Sequence, residues 1–134
     1  MEHCQPEGEK LLVDSPYGAG IRWEGEAQVD GRLWPAGDGQ TLWIPRGRHT
    51  IQPATRRPAM RLLDLTGELV SAASLEGGLE FTYQSSARAF AILESRPGKV
   101  RIDSLPVRPP ELESPGRVTL QLPHGRHVVR VESP

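Results

Sequence analysis

Two stretches of this chain repeat one another. Thr41-Leu42-Trp43-Ile44-Pro45-Arg46-Gly47-Arg48-His49-Thr50-Ile51 is echoed by Thr119-Leu120-Gln121-Leu122-Pro123-His124-Gly125-Arg126-His127-Val128-Val129, with six of the eleven positions identical. Each copy reads as strand, tight turn, strand. An Asp begins a turn shortly upstream of both, at Asp30-Gly31 and Asp103-Ser104, so the duplicated unit is expected to be a short β-meander. Such a repeat constrains architecture more tightly than activity.

Turn punctuation between the repeats supports an all-β chain. The 14 Gly and 13 Pro would interrupt long helices, and short alternating segments lie between them. Leu79, Phe81 and Tyr83 alternate with Glu80 and Thr82, the pattern of a half-buried strand. Counted this way, about eleven short strands emerge, with Leu69 to Leu75 the one stretch that competes as a short helix. The expected fold is an antiparallel β-sandwich of two related meander halves with little or no helix. Residues 1–10 read as an N-terminal extension and 11–134 as a single domain, the internal repeat covering about 15–53 and 83–132. A chain of 134 residues is long enough to bury a core without disulfides or metal.

Charge and composition argue against several partners. A formal net charge of −1 with acidic and basic residues interleaved provides no footprint for nucleic acid. No apolar run approaches the roughly 20 residues of a membrane-spanning helix, so no membrane insertion is expected. Met1 to Lys10 lacks the basic-then-apolar layout of a signal peptide. The lone Cys4 can form neither an internal disulfide nor a thiolate cluster.

The Pro-x-Gly-x-His turns have a local physical explanation. Proline lacks the N–H that a ladder needs, so Pro45 and Pro123 should end their strands, while Gly47 and Gly125 supply an unusual φ. His49 and His127 then stand at equivalent positions. Neither has a Cys or second His at ligand spacing, and an imidazole bonded to turn backbone is favoured over a metal ligand or general base. No cofactor or metal is expected.

These residues resemble a known pattern. Asp30-Gly31 followed by Leu42 to Ile51, and Ile102-Asp103 followed by Leu120 to Val131, look like the PEGA domain, in which an Ile-Asp-Gly turn precedes a Leu-Pro-x-Gly-x-His strand pair. Ser104 replaces the expected Gly in the second copy, and its connecting loop is longer. The segment from Leu79 to Ser85, with Arg88-Ala89, Ile92-Leu93, Pro97 and Val100 to Asp103, is similar to C-terminal β-sandwich domains appended to bacterial glycoside hydrolases and secreted proteins. The resemblance implies a non-catalytic accessory domain in an extracellular or periplasmic setting, with no catalytic residue to carry over.

Catalysis lacks its signatures here. Glycoside hydrolysis needs two carboxylates at a set separation, whereas Glu24, Glu26, Glu80 and Glu94 read as solvated strand or turn positions. Neither a Gly-x-Ser-x-Gly elbow nor a Gly-rich phosphate loop before a helix occurs.

Binding is suggested by uneven aromatics. All three Trp fall in the first third of the chain. Trp34 corresponds approximately to Val107 and should be core, and Trp23 shares a face with Ile21. Trp43 corresponds to Gln121, which implies a face that tolerates an amide, so Trp43 is expected to be exposed, with Arg46 and Arg48 as neighbours able to contact a glycan or protein. Arg56-Arg57, with Arg61 nearby, reads as a solvated basic loop. The sequence therefore supports an accessory module that packs against a neighbouring protein domain or surface protein. Its alternative is a carbohydrate-binding module centred on Trp43.

Overall fold

The structure, a computed structural model, describes residues 3–7 and 10–134. Among them the chain forms sixteen strands and no helix. They are β1 (His3–Glu7), β2 (Lys10–Ser15), β3 (Ala19–Arg22), β4 (Ala27–Val29), β5 (Arg32–Leu33), β6 (Thr41–Ile44), β7 (Gly47–Pro53) and β8 (Leu62–Leu65). The second half continues with β9 (Glu68–Leu75), β10 (Gly78–Ser85), β11 (Ala89–Leu93), β12 (Lys99–Ile102), β13 (Leu105–Val107), β14 (Glu111–Ser114), β15 (Arg117–Leu122) and β16 (Gly125–Glu132).

The count exceeds the expected eleven for identifiable reasons. His3–Glu7, assigned by sequence to an extension, pairs with β2, and Lys10 begins β2 itself. Residues 1, 2, 8 and 9 of that extension lie outside the described residues, as do the side chains of His3 and Cys4. Strands β13 and β14 sit among Pro106, Pro109 and Pro110 and carry exposed residues throughout, so no apolar alternation announces them. Leu69 to Leu75, the helix competitor, lies within the eight-residue β9, which pairs with β10.

Sheet order repeats between the halves. The first half contributes a sheet in the order β1-β2-β7-β4-β5, and the second a sheet β9-β10-β16-β12-β13. Hairpin registers agree as well: Gln28 faces Leu33 and Val29 faces Arg32, just as Arg101 faces Pro106 and Ile102 faces Leu105. The opposing layer holds β3-β6 and β14-β15-β11-β8. A parallel bridge between Ala36 and Leu62 joins these two pieces, with Leu62 N–H donating to Pro35 O and Gly37 N–H to Leu62 O, each at 2.9 Å.

The meander reading requires correction. Strands flanking each Pro-x-Gly-x-His turn do not pair with each other: β6 pairs β3 whereas β7 pairs β2 and β4, and β15 pairs β11 and β14 whereas β16 pairs β10 and β12. Each turn is thus a corner that carries the chain from one sheet to the other. Proline stops the first ladder, and Gly47 at φ 108° or Gly125 at φ 102° redirects the backbone into a region other residues avoid.

One apolar core runs through both halves. Leu42, Ile44, Leu120 and Leu122 are all buried, as period-two alternation requires when one strand face is covered. Leu79, Phe81 and Tyr83 join them, fully enclosed on one face of β10 while Glu80 and Thr82 stand on the more open face, as the alternation predicts.

Candidate functional site

The two Asp-to-His constellations have the same geometry. Asp30 at φ 52° and Gly31 at φ 82° form the first hairpin turn, and Asp103 at φ 51° and Ser104 at φ 70° the second. Positive φ at both central residues matches the strand twist of a tight hairpin. Asp tolerates this region through its short polar side chain, and Ser104 occupies it at a cost that Gly31 avoids.

Three hydrogen bonds tie each turn to the following corner, and a fourth closes the imidazole onto the corner's own backbone. Asp30 N–H donates to Thr50 O at 2.8 Å, and Asp30 Oδ1 accepts from Thr50 N–H at 2.9 Å. Its Oδ2 lies 2.7 Å from His49 Nδ1, while His49 Nε2 faces Arg46 O at 3.2 Å. In the second copy Asp103 N–H donates to Val128 O at 2.8 Å, and Asp103 Oδ1 accepts from Val128 N–H at 3.0 Å. Asp103 Oδ2 lies 2.6 Å from His127 Nδ1, and His127 Nε2 faces His124 O at 2.8 Å. Each imidazole thus meets an acceptor at both nitrogens, which leaves no ring lone pair directed at a metal or substrate.

Electrostatics follow from these bonds. The hydrogen bond from His127, then that from Val128 N–H, hold the Asp103 carboxyl below its ordinary range. Asp103, then the His124 carbonyl, raise His127. Burial works against Asp30, but His49 and Thr50 N–H offset it and leave Asp30 lowered. Tyr83, whose ring centroid is 5.8 Å from that of His127, donates its hydroxyl to Pro123 O at 2.6 Å. Burial and the nearby Asp103 charge push its phenol up to about 12.

The second clamp should therefore depend on pH. A raised His127 contributes stability that is complete below its ordinary value of 6.5 and is lost as pH rises through the folded value. A lowered Asp103 contributes above its ordinary value of 3.8 and loses that contribution as pH falls. The window of full effect is thus about pH 4 to 6.5. Thermal unfolding of wild type and His127→Gln should give melting temperatures that converge as pH rises from 6 toward 9. A gap that stays constant over that range would contradict the clamp.

The aromatic candidate is placed differently from expectation. Trp43 is partly buried against the core, and its indole Nε1–H donates to Leu63 O at 2.7 Å. A Cβ on Gly20 would come within 2.7 Å of its ring, so the indole lies directly over that glycine. The expected exposure fails because β8, which has no copy in the repeat, passes beside Trp43. Gln121 could not report this neighbour.

The two arginines separate. Arg46 forms a two-pronged pair with Glu68 at 2.9 to 3.1 Å, at the margin of a hollow of about 390 Å³ that Trp43, Tyr17, Asp64 and Glu68 help to line. Arg48 instead reaches Asp14, at 3.5 Å. The residue that sequence reasoning missed is Tyr17, 84% exposed in this hollow. Its signal was the Ser15-Pro16-Tyr17-Gly18 crossing turn, which holds an aromatic where a small polar residue would serve.

Arg61 and Glu94 are less solvated than expected, whereas Arg56 and Arg57 are exposed as the basic-loop reading has them. Arg61 is mostly buried and pairs with Glu26, and Arg57 pairs with the largely covered Glu94 at 3.1 Å. No group of three or more His, Cys, Asp or Glu side chains among the described residues is arranged to hold a metal ion. No family model, curated protein or solved structure matches this chain.

Proposed function

We propose that this chain is a non-catalytic accessory module of PEGA-like type that binds or packs against another protein, in the extracellular or periplasmic setting its resemblance implies. One observation carries the reading. Leu105 at 67% and Leu112 at 72% exposure, with the partly open Val107, occupy the edge strands β13 and β14 on one flank. Exposed apolar residues on strand edges suit partner contact, because an edge also offers unpaired backbone groups. The residues with site-like spacing, Asp30, His49, Asp103 and His127, are meanwhile committed to the corners.

A second reading is favoured by Tyr17. Its open ring, with Asp64 and Glu68 in the same hollow, has the stacking surface and acceptors a sugar requires. The readings are separated by placing a photo-cross-linking residue at Leu112 or at the distant Arg22 in the native cell, alongside a glycan array with Tyr17→Ala. Protein adducts confined to the Leu112 position support the interaction module. Their absence, together with saturable glycan binding lost in a folded Tyr17→Ala variant, overturns it.

A further inference from the structure

The sheet duplication makes the two halves an internal control for one another. Trp34 and Val107 stand at equivalent positions, each following the hairpin whose registers coincide, with Trp34 N–H donating to Ala27 O and Val107 facing Val100. Trp34 is only 8% exposed, and its indole Nε1–H donates to Trp43 O at 3.0 Å. Together with the Arg61 to Glu26 pair, it reduces the space beside Ala27 to about 10 Å³. In the second half, Val107 is 36% exposed and the corresponding space is a groove of about 850 Å³. One half is plugged by a tryptophan; the other is open.

Charge distinguishes the halves as clearly as shape. The groove runs along the β12–β13 edge, with Val100 and Val107 on its inner face, Lys99 and Arg101 on the outer face of β12, and Arg96 and Arg108 at its end. At the matching positions the first half has Trp23, Glu26, Gln28 and Pro35. Nearby acids offset part of this charge: Glu111 lines the groove, Glu113 pairs with Arg96 at 3.3 Å, and Glu132 lies opposite Lys99 in the ladder. Arg101 faces Arg130 across the same ladder, so no acid stands opposite it there. The balance remains cationic on the outer face beside the apolar slot, so a segment laid along the edge meets the slot with one side chain and the cations with its alternating neighbours.

We propose that this groove docks an acidic segment of a partner protein through an aromatic side chain seated over Val100 and Val107, where Trp34 would lie in the other half. Flanking carboxylates then meet Lys99, Arg101 and Arg108. Apolar insertion supplies the anchor, and the cations supply selectivity and association rate. The inference rests on the interaction-module reading and names its site and partner chemistry.

The test is fluorescence anisotropy with a labelled peptide of Asp and Glu residues flanking one Trp, beside the same peptide with Ala for Trp and a sulfated disaccharide. Wild-type chain should bind the Trp peptide saturably, and about tenfold or more tighter than the Ala peptide. Val107→Trp should plug the groove and weaken binding at least about tenfold without lowering the melting temperature. Lys99→Glu with Arg101→Glu, on the exposed face, should weaken it similarly and flatten its salt dependence. Equal affinity for the Trp and Ala peptides, undiminished binding by Val107→Trp in a folded chain, or preference for the saccharide would each overturn the proposal. So would absence of saturable peptide binding up to about 1 mM. None of these results removes cross-linking at Leu112, so a failed groove is distinguishable from a failed interaction module.

Discussion

Trp34→Ala is expected to destabilise the chain by about 3–5 kcal/mol, whereas Val107→Ala at the equivalent position should cost less than about 1 kcal/mol. The difference follows from occupancy. Trp34 is nearly enclosed, and removing its ring would leave a cavity bordered by Ala27, Leu42 and the Arg61 to Glu26 pair, as well as deleting the donor to Trp43 O. Val107 borders open solvent and has little to vacate. Chemical denaturation of both variants measures the contrast. Similar losses at the two positions would mean that the halves are packed alike in solution and that the second groove is closed.

Leu42→Ala and Leu120→Ala should each cost about 2–5 kcal/mol, because both side chains lie in the shared core at corresponding places in the repeat. Leu120 is fully buried and stands opposite Ala91 on β11, while Leu42 stands opposite Ile21 on β3. The opposite neighbour Trp43→Ala acts by another route, through loss of its bond to Leu63 and of its cover over Gly20. Losses below about 0.5 kcal/mol at both leucines, measured by the same denaturation, would place these strands in a different register.

Particular residues explain how much of this was legible in the sequence. The repeat foretold the buried leucines and isoleucine because alternation is local and strict. It also foretold the imidazole bond to turn backbone, since Pro, Gly and His act within five residues. Pairing partners were less accessible: a strand, turn and strand look alike whether they form a hairpin or cross between sheets, and the choice is made by distant β2, β4 and β10. Trp43 was misjudged for a related reason. Comparison with Gln121 assumes equivalent surroundings, but Leu63 belongs to a connecting strand that follows only the first half.

Within the candidate surface, the aromatic asymmetry was visible as Trp34 against Val107, yet its consequence depends on the fold around each position. A side chain that fills a slot and one that leaves it open differ only when the slot is known to exist. Leu105, Val107 and Leu112 were similarly hidden, because Pro and charged residues surround them and mask their strands. Arg61 looked solvated from its neighbours Arg56 and Arg57, although its partner Glu26 comes from the far side of the repeat.

The paired Asp and His residues build the fold, and the proposed recognition surface is the β12 to β14 flank. Backbone and indole amide shifts of isotopically labelled chain, titrated with the acidic Trp peptide, test that division most directly. The expected perturbations cluster at Lys99 to Arg101 and Leu105 to Arg108, with the Trp43 indole N–H unmoved. Perturbations concentrated at Tyr17, Trp43 and Asp64, with the β12 and β13 amides silent, would contradict it.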